Sequence, residues 1–291
     1  MFGDRLAEVI ETRVHHPELV AQAAAARRRA PSVVGPNGRL VIIAADHPAR
    51  GSLSAGRERF AMADRADLLE RLCLALERPG VGGVLGAADV LEDLLLLGAL
   101  HGKVVVGSMN RGGLAGAVFE IDDRFTGYDA PAIARMGFDG GKMLLRMDPD
   151  DPATPATIQA CAQAVSGLAE RKLMAMVEPF MSHRADGRVR NDLAPEAMMR
   201  AVAIASGLGT TSAYTWLKVP VVADMEQVMA ASTLPALLLG GEVADDPEET
   251  FAGWQKALRL PNVVGLVAGR SLLYPSGGDV AAAVDTAVSL L

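Results

Sequence analysis

Ser212-Ala213-Tyr214-Thr215-Trp216-Leu217-Lys218-Val219-Pro220 reads as a short, largely apolar β-strand that carries a lysine near its end and is stopped by a proline. An ammonium in such a segment is costly to bury unless it is paired or neutralised. Desolvation lowers a lysine's pKa, and the neutral amine condenses with carbonyls. The competing reading is an edge-strand lysine that snorkels to water. The rest of the chain decides between them.

Seven further runs of the same kind surround this one: Leu40–Ala45, Gly82–Gly86, Lys103–Gly107, Lys142–Met147, Leu173–Glu178, Ala236–Gly240 and Val263–Ala268. Helical stretches alternate with them, at Glu58–Leu76, Ala88–Leu100, Pro155–Arg171, Pro195–Gly207, Asp224–Ala231 and Pro247–Leu258. Continuous apolar strands separated by helices indicate a parallel sheet covered on both faces. Eight such units predict an α/β fold, a single (β/α)8 TIM barrel, over residues 39–291. A doubly wound open sheet is the runner-up, but no dinucleotide-type Gly-rich turn follows the first strand. Residues 1–38 are expected to form a helical extension, with helices at Asp4–Thr12 and Pro17–Arg29, that caps the barrel bottom or meets another subunit. Ser182–Asn191, polar and long for a strand-to-helix connection, is expected to be a lid loop.

Composition narrows the function classes. Half of the 291 residues are hydrophobic, enough for a large core, and the formal net charge of −7 argues against a nucleic-acid partner. No apolar run is long enough for a membrane span, and the start of the chain lacks a signal-peptide pattern. Cys73 and Cys161 sit in aliphatic helical segments, as buried thiols of a reducing cytoplasm do. The expected setting is cytoplasmic, with a small-molecule partner and a homo-oligomeric assembly.

Barrels place their chemistry at the C-terminal strand ends. There the chain sets Asp46-His47-Pro48-Ala49-Arg50-Gly51 after the first strand and Ser108-Met109-Asn110-Arg111-Gly112-Gly113 after the third. Lys142 and Arg146 lie on the fourth strand, Glu178 closes the fifth, and Lys218 the sixth. Gly240-Gly241-Glu242 and Gly269-Arg270-Ser271 end the last two. Asp46 read alone is as much a helix cap or loop brace as a catalytic group, and His47 is expected to face solvent. Lys142 has a bottom-face salt bridge as its alternative, and the glycine pairs have plain tight turns. Together they form a chemical set: a lysine nucleophile, a carboxylate to move protons, a second ammonium that disfavours a charged neighbour, and backbone N–H groups for phosphate. The five histidines are scattered, so no metal site and no cofactor are expected.

These residues resemble the class I, Schiff-base aldolases of the archaeal-type fructose-bisphosphate and bacterial tagatose-bisphosphate group, over about residues 40–275. The resemblance implies Lys218 as the Schiff-base lysine, Asp46 in the active site, and Lys142 and Glu178 as matches to a strand-four lysine and a strand-five glutamate. It implies a phosphate site at Gly240, Gly241, Gly269 and Arg270, with Arg146 adding positive potential. Departures are Pro48-Ala49 where the group usually has glycine, Glu178 where the archaeal-type enzymes use an aromatic acid, and an Asn110-Arg111-Gly112-Gly113 loop with no counterpart. The Asp46–Gly51 segment is also similar to proteins associated with inositol catabolism, which implies 2-deoxy-5-keto-gluconate 6-phosphate as substrate. The expected function is carbon–carbon cleavage of a phosphorylated keto sugar. A deoxyribose-phosphate-type aldolase and a non-catalytic sugar-phosphate-binding barrel are the alternatives.

Overall fold

Nine strands make up the sheet of the computed structural model, which describes residues 2–241 and 247–291. They are β1 (Leu40–Ala45), β2 (Gly83–Gly86), β3 (Val104–Ser108), β4 (Gly140–Met147), β5 (Met174–Ala185), β6 (Arg188–Asn191), β7 (Thr215–Val219), β8 (Ala236–Leu239) and β9 (Val263–Ala268). All but β6 pair in parallel, in the order β4-β3-β2-β1-β9-β8-β7-β5, and a further β4–β5 pairing closes the ring. The result is an eight-stranded parallel barrel with helices between the strands, the expected (β/α)8 architecture. No helix among the described residues is long and apolar enough to cross a membrane.

Side chains on each strand alternate between the barrel interior and the helical layer. The interior takes Leu40, Ile42 and Ala44 of β1, Val104 and Val106 of β3, Met174 and Met176 of β5, and Leu85, Leu237 and Val267. The intervening positions, such as Val41, Ile43, Met143, Leu145, Val177 and Leu217, face the helices in a second and larger apolar cluster. Ala30, Val33 and Val34 pack against the interior set and so stop the barrel from below. Just before them, buried Arg27 donates to the carbonyls of Lys103 (2.8 Å) and Gly137 (2.6 Å). The two N-terminal helices, α1 (Phe2–His15) and α2 (Leu19–Ala26), lie on the flank, against α3 (Arg65–Glu77) and α4 (Ala88–Leu96). It is therefore the strand-less segment after α2 that covers the bottom.

Several elements differ from the sequence-based expectation. The helix expected from Glu58 begins at Arg65, because Asp64 is its N-cap and accepts from the backbone N–H of Ala66 (2.8 Å) and Asp67 (3.2 Å). Ser182–Asn191 is not a loop. It is a β-hairpin in which the end of β5 pairs antiparallel with β6 around Asp186-Gly187, both at positive φ. The chain also forms short helices at Ala130–Arg135, Arg270–Leu273 and Val280–Ser289, which the periodicity does not single out.

Candidate active site

The interior alternation changes character near the C-terminal strand ends. Continuing the inward positions upward from the apolar layer gives Asp46 after β1, Ser108 on β3, Lys142 on β4, Glu178 on β5 and Lys218 on β7, all buried. A layer of charge thus rests directly on a layer of hydrocarbon. Such groups persist there only when they are paired.

They are. Lys218 Nζ is 3.0 Å from Glu178 Oε1, and Lys142 Nζ is 2.5 Å from Glu178 Oε2 and 3.2 Å from Asp46 Oδ2. Arg111 Nη1 approaches Asp46 Oδ2 at 3.0 Å, and the Ser108 hydroxyl donates to the same oxygen at 3.0 Å. One continuous chain of contacts therefore runs Arg111, Asp46, Lys142, Glu178, Lys218. Asn110 fixes its middle by accepting from Leu144 N (2.8 Å) and donating to Leu144 O (2.6 Å), which locks the β4 backbone between Lys142 and Arg146.

The electrostatics follow from burial and neighbours. Burial alone would raise both carboxyls, but Lys142 and Arg111 hold Asp46 well below its usual range, and Lys142 and Lys218 do the same for Glu178. Both stay ionised. Burial, helped by Arg111, pulls Lys142 down to about 8 against the opposing pull of Asp46 and Glu178. His47 is pulled down to about 3 by burial, with Asp46 opposing.

Above this layer, Arg146 pairs with Glu120 Oε1 and donates to the Glu120 carbonyl (2.8 Å), while Arg50 pairs with the same carboxylate at 2.7 Å. On the other side lie the turns Gly240-Gly241 after β8 and Gly269-Arg270 after β9. Gly241 has φ +65, and a Cβ at Gly269 would fall onto the carbonyl of Ala44. Glu242 lies outside the described residues. All these groups line one cavity of about 880 Å³, whose wall includes Val189, Arg190 and Asn191 of the hairpin. Of its described lining side chains seven are Lys or Arg and four Asp or Glu, a positive surplus in a chain of net charge −7. Such a cavity attracts anions. Among the described residues no group of three or more His, Cys, Asp and Glu side chains is placed to hold a metal ion.

Every site residue singled out in the sequence falls on this cavity or its rim: Asp46, Lys142, Arg146, Glu178, Lys218, Gly240, Gly241 and Arg270 line it. Gly269 sits beside Arg270 at the end of β9. His47 departs from expectation: it lines the cavity with its side chain 21% exposed, and its Nδ1 is 4.0 Å from Asp46 Oδ1. Lys142 is not at the bottom face, because β4 starts at Gly140 and the long side chain rises to Asp46. The sequence left the roles of Asn110 and Arg111 unread and passed over Arg50 and Glu120. The placement of Ser108-Met109-Asn110-Arg111 at a strand end was the available signal; nothing local marks Glu120.

Comparison with known proteins places this geometry. A family model described as Cgl0159-like matches residues 38–288. The crystal structure of Cgl0159 from Corynebacterium glutamicum superposes with a TM-score of 0.96 at 51% identity, over 99% of this chain and 96% of that one. A Schiff-base-forming fructose-1,6-bisphosphate aldolase gives a TM-score of 0.66 at 16% identity, over 93% of this chain and 99% of that one. A fructose-bisphosphate aldolase from Slackia heliotrinireducens gives 0.63 at 15%, over 87% and 85%. At such identities the aldolase likeness establishes the barrel fold. No curated protein sequence matches the chain.

Proposed function

Because the chain belongs to the Cgl0159-like family, whose model spans the whole barrel, and because it carries a lysine–carboxylate layer under an anion-attracting cavity, we propose that it is a class I aldolase. Its substrate is a phosphorylated keto sugar, and 2-deoxy-5-keto-gluconate 6-phosphate is the specific candidate. The single observation that carries this is the buried Lys218 amine at 3.0 Å from Glu178, inside the cavity and one strand away from the Gly240-Gly241 turn.

The steps divide among the residues as follows. Phosphate binds the backbone N–H groups of Gly240, Gly241 and Gly269 with Arg270, which sets the substrate carbonyl over Lys218. Unprotonated Lys218 attacks the carbonyl carbon, the oxygen takes a proton, and loss of water from the carbinolamine leaves a protonated imine. Glu178 accepts protons from the substrate hydroxyl and returns them, and Lys142, held at about 8, gives and takes them through the 2.5 Å contact. Removing the hydroxyl proton breaks the carbon–carbon bond. Its electron pair passes into the imine to form an enamine, and an aldehyde leaves. Protonation at carbon and hydrolysis then free the three-carbon ketone phosphate and restore Lys218. Asp46 holds Lys142 and Arg111 in place.

The free buried thiols Cys73 and Cys161 support a reducing, cytoplasmic setting. Exposed Ile10 and Val14 on α1 support a homo-oligomer that buries the N-terminal extension, residues 1–38, against a neighbour. The activity is tested with Lys218→Met. Cleavage of keto-sugar phosphates should fall to background, and full retained cleavage would refute the reading. Tight binding of sugar phosphates by a wild-type protein that cleaves none would instead favour a binding barrel.

A further inference from the structure

Arg50, Arg146 and Glu120 form a second assembly in the cavity, joined to the lysine layer through Arg111 on Asp46. Arg146 and Arg50 converge on one oxygen, Glu120 Oε1, and Glu120 Oε2 accepts from Gly116 N at 2.9 Å. Arg111, which reaches Asp46, completes the group. Donors remain to spare: Arg50 Nε, Arg111 Nη2 and Arg146 Nε are buried with no acceptor among the described residues. Arg111 and Arg146 are each 5% exposed. Two guanidiniums thus share the Glu120 carboxylate and a third, that of Arg111, lies on Asp46, in a site that already draws anions.

Position supplies the second argument. Around the closed ring, β3 is four strands from β8, and β4 is four strands from β9. Arg111 and Glu120 follow β3, and Arg146 sits on β4, so these three face the glycine turns across the barrel mouth, while Arg50, after β1 beside β9, reaches over to Glu120. Glu178 on β5 and Lys218 on β7 occupy the strands that join the two sides. Glu120 itself rides on a projecting loop. The neck of that loop is stitched by Gly113 N to Asp123 Oδ1 (2.8 Å) and Gly112 N to Arg124 O (3.1 Å), while Val118 and Phe119 beside Glu120 are exposed.

We propose that Arg50, Arg111 and Arg146 form a carboxylate subsite for the end of the substrate remote from its phosphate, and that the Glu120 carboxylate is a tenant which the substrate displaces. This rests on the aldolase reading for the identity of the substrate, though not for the binding itself. The ligand class is a carboxylate because the group that now fills the site is one, held by the planar guanidinium contacts that suit it. The substrate is then anionic at both ends, with its reacting carbon between, and the cleaved aldehyde carries the acid.

Calorimetric titration with malonate, in the presence of saturating inorganic phosphate to fill the glycine turns, tests this without any imine chemistry. Malonate should bind, should weaken about tenfold or more in Arg50→Met and in Arg146→Met, and should tighten at least about threefold in Glu120→Gln. No malonate binding, or equal affinity in the arginine variants, overturns the subsite. Weaker binding to Glu120→Gln makes Glu120 a strut rather than a tenant and overturns the displacement. Loss of malonate binding when phosphate is added means phosphate takes the arginines, which overturns the carboxylate assignment. Should Arg146→Met not fold, Arg50→Met decides alone, since Arg50 lies at the cavity rim and not within the barrel. Failure of the aldolase reading would show separately, as no borohydride-trapped adduct in a protein that still binds malonate.

Discussion

Replacing Glu178 by Gln removes one charge without changing shape, and the structure sets what that does. Glu178 is the counterion of both Lys142 and Lys218. Lys142 keeps Asp46 at 3.2 Å but loses the nearer partner. Its pKa stands at about 8, with burial pulling it down and Glu178 among the groups holding it up. In the variant it folds neutral, and at pH 7 giving up a proton bound at about 8 costs on the order of 1 kcal/mol. Losing the charge-assisted bond to Lys218 adds roughly 1.5–3 kcal/mol. The total, about 3–4 kcal/mol, falls in the range for breaking a buried ion pair from one side. The sign with pH follows. Above pH 8 the wild-type Lys142 is itself neutral, so its share vanishes and the deficit shrinks to roughly 1.5–3 kcal/mol at pH 9. Urea denaturation of both proteins at pH 7 and pH 9 measures it. A loss under about 1 kcal/mol at pH 7, or one that grows with pH, would refute the buried triad of Lys142, Glu178 and Lys218.

Other perturbations have equally definite outcomes. Asp46→Asn takes the carboxylate partner from Arg111 and leaves Lys142 with Glu178 alone, and should cost about 3–5 kcal/mol near neutrality. Because the folded carboxyl is held below its usual value, that deficit should shrink by about 1.4 kcal/mol per pH unit below about pH 4, read from urea midpoints along the acid limb. Asn110→Ala leaves Leu144 N–H and C=O buried without partners and should lose about 2–4 kcal/mol in the same assay. Gly269→Ala drives a Cβ into the Ala44 carbonyl and should weaken inorganic phosphate binding in a calorimetric titration, with a stability loss of about 1–3 kcal/mol. Gly241→Ala meets no atom within 4 Å and should cost only the left-handed backbone penalty, about 1 kcal/mol, in thermal unfolding.

The barrel was legible because each inner strand is a short apolar run with a helical stretch after it, and burial on both faces forces that pattern. Leu40–Ala45 and Val263–Ala268 match their predicted bounds for this reason. Strand β5 does not: its apolar run ends at Glu178, yet pairing with β6 carries it on to Ala185. A solvent-facing hairpin has no need of hydrocarbon, so Ser182–Asn191 read as a loop. Lys218, Glu178 and Lys142 stood out as charges inside apolar runs, and a shared alternation brings them to one layer. Arg111 and Glu120 were less visible because their placement comes from the long connection after β3, whose course depends on tertiary contacts such as Gly113 to Asp123 and Ala115 to Arg50. His47 departs from the solvent-facing expectation for a related reason. The turn Pro48–Arg50 folds it into the cavity, where a simple outward alternation would have left it in water.

The central claim is that Lys218 forms an imine with a keto-sugar phosphate. Borohydride reduction of the protein with dihydroxyacetone phosphate, followed by peptide mass mapping, tests it most directly. A reduced three-carbon adduct on Lys218 is the predicted result; an adduct on Lys142 instead, or none on a protein that binds the ligand, would contradict it.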